Sequence, residues 1–190
     1  MKEKREELEM FVAGLVLDPS TNAPIVILKD ANSDTCLPIW IGLAEATAIA
    51  SALKKVEVQR PMTHDLLKDV IDQLGGRVIK IVVTSLRENT FLANIEIACG
   101  EALNIIDSRP SDAIALAVRT NCPILVSSQV LEQAQVTLVA VNPTGNEEDI
   151  EFKTVEEGGE SQSTNFANIE KDKWAEILAK MDPDDFKYKM

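Results

Sequence analysis

The chain has 190 residues, of which 45% are hydrophobic and 26% are charged, as in a globular protein with one well-buried core. No window approaches the roughly 18 consecutive apolar residues of a membrane helix, and the charged start, "MKEKREELEM", does not resemble a secretory signal, so we expect a cytoplasmic protein. The net charge of −12 disfavours a general nucleic-acid binder, because basic side chains that neutralise phosphates supply most of that affinity.

The acidic residues are concentrated near one end of the chain. Residues 147–160, "EEDIEFKTVEEGGE", carry seven acids and one base, which is half of the net charge of −12. The remainder of the chain is therefore only moderately acidic. Its charge is compatible with a local basic groove, or with a metal ion that joins acidic side chains to a substrate phosphate.

The three cysteines, Cys36, Cys99 and Cys122, are far apart and form no C-x-x-C pair. This spacing argues against a disulfide framework and against a thiolate zinc site. We interpret them as small apolar core residues, with Cys99, beside Gly100 in a predicted turn, the most accessible.

The first half of the chain predicts three strands and a helix. Apolar, β-prone residues at 8–17 and 25–29 flank the turn sequence "DPSTNAP", which predicts a hairpin. A third strand is predicted at 35–41, where Pro38 favours an edge position or a bulge. After Gly42, the alanines and aliphatic residues of "LAEATAIASALKKV" predict a helix with a closely packed face.

The second half predicts the same order of elements. Strands at 77–86 and 90–98 flank "REN" as a hairpin, 101–107 is a third strand, and "PSDAIALAVRT" is a helix with Pro110 in its first turn. An acid followed by Ala-x-Ala-aliphatic-Ala begins both helices, at Glu45 and at Asp112. An internal duplication explains this match, and so does chance similarity between two alanine-rich helices.

The complete prediction is an α+β fold whose mixed or antiparallel sheet is built from two β-β-β-α units. A connecting helix begins near Thr63, which is a suitable cap, and it has an apolar stripe and ends at Gly75-Gly76. A short strand, a marginal helix and a further strand follow up to residue 141. We predict a domain over 1–141, an acidic flexible linker over 142–168, and a C-terminal amphipathic helix and tail over 169–190.

The densest polar group is "DSRPSDAIALA", which places Asp107, Arg109 and Asp112 just before a run of small apolar residues. Helix initiation explains much of it, because serine caps a helix, Pro110 fixes φ, and Asp112 complements the positive end of the helix dipole. Capping does not require Asp107 and Arg109 as well. A structural interpretation and a catalytic one therefore both remain open.

His64 is the only histidine, so any imidazole chemistry must use it. The chain has no G-x-x-x-x-G-K-[ST], G-x-G-x-x-G, G-x-S-x-G or H-E-x-x-H motif, and no second histidine or spaced cysteine pair for zinc. Carboxylates alone suit Mg²⁺ or Mn²⁺, and we expect no organic cofactor. If the two halves are related by symmetry, Glu45 and Asp112 lie at equivalent helix starts.

Three stretches together resemble the bifunctional nuclease family: "LPIWIGLAEATAIASAL" at 37–53, "RPMTHDLL" at 60–67 and "DSRPSDAIALAVRTNCPI" at 107–124. The resemblance covers roughly residues 8–140. It implies a compact α+β domain, commonly self-associating, and hydrolysis of RNA and DNA. The family's polar motif positions correspond here to Glu45, Arg60, Thr63, His64, Asp65, Asp107, Arg109, Ser111 and Asp112.

The resulting hypothesis is a homo-oligomeric, metal-assisted nuclease. Its metal ligands are expected among Glu45, Asp65, Asp107 and Asp112. His64 is the expected general acid or base, and Arg60 or Arg109 is the expected stabiliser of charge on the scissile phosphate. Asp107 and Asp112 are counted as catalytic residues as well as metal ligands. The alternatives are a non-catalytic oligomeric binding or regulatory module, and a small-anion sensor that uses Arg109 at a helix start.

Overall fold

A computed structural model of the chain describes residues 6–18, 21–134, 136–140, 149–154 and 163–168, with side chains up to residue 134. The fold is α+β, as predicted, with helices packed on a mixed sheet. The strands are β1 (Glu7–Leu17), β2 (Pro24–Asp30), β3 (Thr35–Trp40), β4 (Gly76–Arg87), β5 (Thr90–Cys99), β6 (Ala102–Ser108), β7 (Ile124–Ser127), β8 (Val136–Ala140), β9 (Asp149–Thr154) and β10 (Ser163–Asn168). The helices are α1 (Leu43–Leu53), α2 (Thr63–Gln73), α3 (Pro110–Thr120) and α4 (Ser128–Ala134).

The sheet places the two predicted β-β-β-α units on either side of one short strand. The strand order is β10-β9-β8-β3-β2-β1-β7-β4-β5-β6, so β7 separates the two three-stranded groups. β7 runs antiparallel to β1 and parallel to β4, and every other pair is antiparallel. β1 and β4 therefore run in opposite directions, as a two-fold axis normal to the sheet near β7 would require.

The boundaries of two predicted segments differ in the structure. The helix predicted to continue to Val56 ends at Leu53, because Lys55 adopts a positive φ of 50° and the Val56 N–H donates to the Ser51 carbonyl. The segment 142–168, predicted as a linker, contains β9 and β10, and its sequence "DIEFKT" has the alternation of a strand. The helix predicted over 169–190 lies outside the described residues.

The core forms where α1 and α3 lie on the sheet. Small residues dominate both helices: residues 46–51 of α1 and residues 113–117 of α3 are all buried. α1 packs against α3 and β2, while α3 also contacts β4 and β5. Alanine side chains are short and permit close packing of two helices, and the Glu45–Arg109 ion pair joins the starts of α1 and α3. None of the described helices is long and apolar enough to cross a membrane.

α2 lies outside this pair, against α3 and β4, and none of its residues is buried. The predicted apolar stripe is only partly covered: Ile71 packs on the core, whereas Leu66 and Val70 are exposed and Leu74 is 79% exposed. The apolar stripe of α2 is therefore less buried than its sequence pattern predicts, and apolar burial contributes little to holding α2 in place.

Cys99 is the most accessible thiol, as predicted, but its exposure means that the prediction of a core position is wrong for this cysteine. Cys36 is buried, Cys122 is partly buried and Cys99 is exposed, and all three are free. Burial raises the pKa of the Cys36 thiol to about 11, so this side chain stays protonated as an apolar core residue at neutral pH.

Arg119 on α3 joins all three helices through one guanidinium. Its side chain is only 7% exposed, its Nε donates to Asp65 Oδ1 at 2.5 Å, and its Nη1 donates to the carbonyls of Ala48 and Ala115 at 3.0 and 2.9 Å. Burial alone raises the pKa of Asp65, but the hydrogen bonds from Arg119 and from the Met62 N–H outweigh it, so the pKa is lowered. The ion pair thus fixes the start of α2 against α1 and α3.

We predict that Asp65→Asn lowers the free energy of unfolding by about 1–3 kcal/mol at pH 7, because it leaves the nearly buried Arg119 charge without a counter-charge. Since the pKa of Asp65 is lowered by folding, its contribution is fully present above its ordinary value of 3.8 and is lost as the pH falls through the folded value. Urea unfolding of both proteins between about pH 7 and pH 3 measures this difference.

The matched control is Asp72→Asn on the same helix. Asp72 pairs with Lys68 at 2.7 Å, but both side chains are well exposed, so we expect a change within about 0.5 kcal/mol. Equal losses in the two variants, or a pH-independent loss in Asp65→Asn, would contradict a specific role for the Arg119 pair.

Candidate functional site

The first turns of α1, α2 and α3 meet at one place on the surface. Their N-cap residues are Gly42, Met62 and Arg109. Thr63, which the sequence predicted as a cap, is instead the first residue of α2, and the Asp65 carboxylate accepts the Met62 N–H at 3.0 Å. Three helix starts bring unpaired backbone N–H groups and the positive ends of three dipoles together.

Each of these helices carries an acid three residues after its N-cap: Glu45, Asp65 and Asp112. This position favours a carboxylate, which compensates the helix dipole. Capping therefore explains the presence of all three acids. It does not explain their partners, which differ: Asp65 binds Arg119, whereas Glu45 and Asp112 share Arg109.

Arg109 lies between two carboxylates from different halves of the chain. Its Nε and Nη2 donate to Asp112 at 2.6 and 3.0 Å, and its Nη1 is 2.8 Å from Glu45 Oε1. The hydrogen bond and charge of Asp112, followed by those of Glu45, raise the pKa of Arg109, so it is a permanent cation. The Arg109 side chain is 65% exposed and is therefore accessible to a ligand.

His64 joins the same group. Its Nε2 is 3.1 Å from Asp112 Oδ1, and its side chain is 12% exposed. Burial raises the pKa of Asp112, but the hydrogen bonds from Arg109 and His64 exceed this effect, so the pKa is lowered and the carboxylate is ionised at neutral pH. When Nε2 carries the ring proton, it donates a hydrogen bond to the ionised Asp112, which orients the ring, and Nδ1 is then the unprotonated nitrogen.

We call the space between the three helix starts the helix-start cavity. Its volume is about 610 Å³. It is lined by Ala44, Glu45, Thr47, Ala48, Pro61, Met62, Thr63, His64, Leu66, Arg109 and Asp112. The structure therefore places four of the predicted site residues, Glu45, His64, Arg109 and Asp112, on a single cavity.

The other predicted site residues lie elsewhere. Asp65 faces Arg119, Arg60 is exposed in the loop before α2, and Asp107 is exposed on β6 opposite Asn94. Within the part of the chain that the structure describes, Asp107 and Arg60 form no ion pair, and neither lines the cavity. Ser111 is buried in the first turn of α3.

The predicted metal ligands do not form a metal site in this arrangement. Among the described residues, no three His, Cys, Asp or Glu side chains are grouped so that they would hold an ion. Glu45 and Asp112 both line the helix-start cavity, but the Arg109 guanidinium already pairs with both carboxylates as their counter-ion. The four residues Glu45, Asp65, Asp107 and Asp112 therefore do not fit a shared divalent cation.

A second cavity, the strand-end cavity, adjoins the first. It has a volume of about 390 Å³ and is lined by Ile39, Trp40, Ile41, Gly42, Glu45, Asn89, Thr90, Phe91, Arg109, Pro110 and Ser111. Glu45 and Arg109 line both cavities. Trp40 was not among the site residues predicted from the sequence, although it lies within the 37–53 motif, two residues before the N-cap of α1.

Comparisons with known proteins agree on this region. A family model described as "Bifunctional nuclease domain" matches residues 26–139, which include all three helix starts. An uncharacterized protein of Mycobacterium tuberculosis is 36% identical over 180 residues, 94% of this chain and 98% of that protein.

Plant relatives match a shorter stretch. Bifunctional nuclease 1 of Oryza sativa subsp. japonica is 24% identical over 130 residues, 67% of this chain and 39% of the rice protein. Bifunctional nuclease 2 of Arabidopsis thaliana is 28% identical over 109 residues, 56% of this chain and 33% of the plant protein. The match therefore spans 39% of the rice protein and 33% of the Arabidopsis protein, well under half of each.

We predict that Gly42→Ala separates Glu45 from Arg109 with little loss of stability. A Cβ atom at residue 42 would meet the Glu45 carboxylate, which is the end of a flexible side chain, while the backbone at Gly42 (φ −77°, ψ 162°) suits alanine. We expect the Nη1–Oε1 distance to exceed about 4 Å, measured in crystal structures of both proteins.

The control is Gly14→Ala, since nothing lies within 4 Å of a Cβ atom at residue 14. It should leave the Glu45–Arg109 distance unchanged. An unchanged distance in Gly42→Ala as well would show that Gly42 does not set the position of the Glu45 carboxylate.

Proposed function

Because the chain belongs to the bifunctional nuclease domain family, we propose that it hydrolyses phosphodiester bonds of RNA and DNA at the helix-start cavity. The observation that carries this proposal is the convergence of His64, Asp112 and Arg109 on one accessible cavity. A base, its orienting carboxylate and a cation are the groups that phosphodiester hydrolysis requires.

In this proposal, His64 is the general base. Asp112 holds the imidazole with Nε2 protonated, and Nδ1 takes the proton of the attacking water. The water oxygen forms a bond to phosphorus while the bond to the leaving oxygen breaks, and that oxygen is protonated from solvent. Arg109 stabilises the charge on the non-bridging phosphate oxygens.

The charged side chains that line the helix-start cavity do not by themselves favour phosphate binding. Glu45 and Asp112 carry two negative charges against one on Arg109, so side chains alone would repel a phosphate. The three helix starts offset this repulsion with their dipoles and unpaired N–H groups.

The metal requirement stays a prediction from the sequence. We propose Mg²⁺ or Mn²⁺ as the metal if one is required, delivered with the substrate phosphate rather than held by a preformed cage. A metal requirement is tested by measuring hydrolysis with each ion and with EDTA.

We predict that His64→Gln lowers the rate of hydrolysis at least about 100-fold, because it removes the general base. Asp112→Asn should also lower it, since the imidazole loses its orienting charge. Purified protein is assayed on labelled RNA and DNA with Mg²⁺, Mn²⁺ or EDTA. Circular dichroism verifies that each variant is folded.

Asp107→Asn distinguishes the cavity from the wider group predicted by the sequence. Because Asp107 is exposed on β6 and does not line the cavity, we expect unchanged activity. Full activity in folded His64→Gln, or loss of activity in Asp107→Asn, would refute the helix-start cavity as the catalytic site. No hydrolysis under any condition would refute the proposed enzyme.

A non-catalytic binding module is the second candidate function. It is favoured by the observation that Glu45, Asp65 and Asp112 all occupy the same capping position, and each already has an arginine partner. Such a protein would bind nucleic acid or a small anion without turnover. Binding together with absent hydrolysis would identify it.

We also propose that the chain forms homo-oligomers through β6. This strand ends the sheet, so its outer edge is unpaired among the described strands, and it exposes Leu103, Ile105 and Ile106. Unpaired edges with exposed apolar side chains promote association between chains. A second copy that pairs along β6 would cover both the unpaired edge and the exposed apolar side chains.

We predict that Ile105→Lys converts the oligomer to a monomer, because a charged side chain on the edge strand opposes pairing. Sedimentation velocity measures the mass of each protein. The control is Phe11→Lys, which changes an exposed apolar residue on β1, a strand paired on both sides. A monomeric wild-type protein, or an Ile105→Lys variant of unchanged mass, would contradict this interface.

A further inference from the structure

Trp40 is a large aromatic side chain presented beside the site. It is the last residue of β3 and is 51% exposed. Its indole N–H donates to Asp18 Oδ2 at 3.0 Å, which restrains the ring without burying it. An exposed indole held in one orientation is suited to stacking, since little side-chain entropy is then lost on binding.

The walls of the strand-end cavity resemble those of a site for a flat, uncharged ring. Phe91, Ile41 and Pro110 supply apolar lining together with Trp40, and Asn89 and Thr90 supply polar lining groups. The volume of about 390 Å³ lies in the range of small-molecule sites. A nucleobase combines an aromatic face with a polar edge, which matches both kinds of wall.

Arg109 connects this cavity to the helix-start cavity, because it lines both. An arginine has five N–H donors, and three atoms of Arg109 engage carboxylates: Nε and Nη2 contact Asp112, and Nη1 contacts Glu45. If each contact uses one N–H, two donors remain. A phosphate on those donors would lie at the boundary between the cavities, with one adjacent base in the strand-end cavity.

We propose that the strand-end cavity binds one unpaired nucleobase of the substrate, stacked on Trp40, and that the protein therefore prefers single-stranded RNA or DNA to duplexes. This inference rests on the proposed nuclease function, because it uses the phosphate position at Arg109. A base within a duplex is stacked on both faces and paired at its edge, so it must leave the helix before it enters the cavity.

Trp40 fluorescence tests the contact directly. The chain has two tryptophans, Trp40 and Trp174, so Trp174→Phe leaves Trp40 as the only indole. Full-length protein with this substitution is titrated with a 12-nucleotide oligothymidylate and with a duplex hairpin of equal length. His64→Gln is added so that the oligonucleotide is not cleaved. We expect the single strand to quench Trp40 and to bind at least about tenfold more tightly than the hairpin.

Substitutions at residue 40 separate stacking from structural support. Trp40→Ala should weaken oligothymidylate binding by about tenfold or more, the effect of losing one stacked base, while Trp40→Phe should retain most of the affinity. Both are measured by fluorescence anisotropy of the labelled oligonucleotide. Phe11→Ala, another exposed aromatic residue outside both cavities, should bind as the wild-type protein does.

The outcomes distinguish this inference from the nuclease proposal. Hydrolysis with no quenching, with equal affinity for the hairpin, or with unchanged affinity in Trp40→Ala would overturn the base site and leave the nuclease in place. Quenching and a Trp40-dependent affinity without hydrolysis would support the base site and reject the enzyme. Absence of both binding and hydrolysis would overturn both proposals.

Discussion

The nearly buried Arg119 guanidinium sets the position of the site, because it is the group that holds three helices together. Its contacts reach a carbonyl on α1, a carboxylate on α2 and a carbonyl on its own helix. α2 buries no residue of its own, so apolar packing alone holds it weakly. The Arg119–Asp65 pair therefore adds to the contacts of α2 with α3 and β4 and helps to hold His64 close to Asp112.

The two arginines of this region serve different purposes because their exposure differs. Arg119 is 7% exposed, and its contacts are internal, whereas Arg109 is 65% exposed and lies at the junction of two cavities. A buried ion pair orders its surroundings, while an exposed guanidinium with unused donors is available to a ligand. The same side-chain chemistry thus supplies a buried ion pair at one end of α3 and an accessible cation at the other.

Local signals in the sequence predicted much of the fold, since turn sequences, alternation and Pro110 act over a few residues. The start of α3 and the hairpin of β4 and β5 follow the prediction closely. The geometry of the site was harder to predict, because it depends on contacts between residues that are far apart in the sequence. The partner of Asp65 is 54 residues away, and the sequence does not show which carboxylate a lone arginine in an apolar helix will meet. Asp107 is only two residues from Arg109, yet its strand carries it away from the cavity.

The two halves of the chain differ at one equivalent position, the N-cap of the helix that follows the third strand. α1 and α3 both begin with an N-cap followed by an acid at the third helical residue, but the N-cap is Gly42 in one half and Arg109 in the other. Glycine leaves space into which the Glu45 carboxylate folds, and arginine reaches across to bind that carboxylate. A symmetric pair of acids alone would repel. Because only one of the two N-caps is an arginine, a single cation, Arg109, pairs with both Glu45 and Asp112. Arg109 also lines both the strand-end cavity and the helix-start cavity.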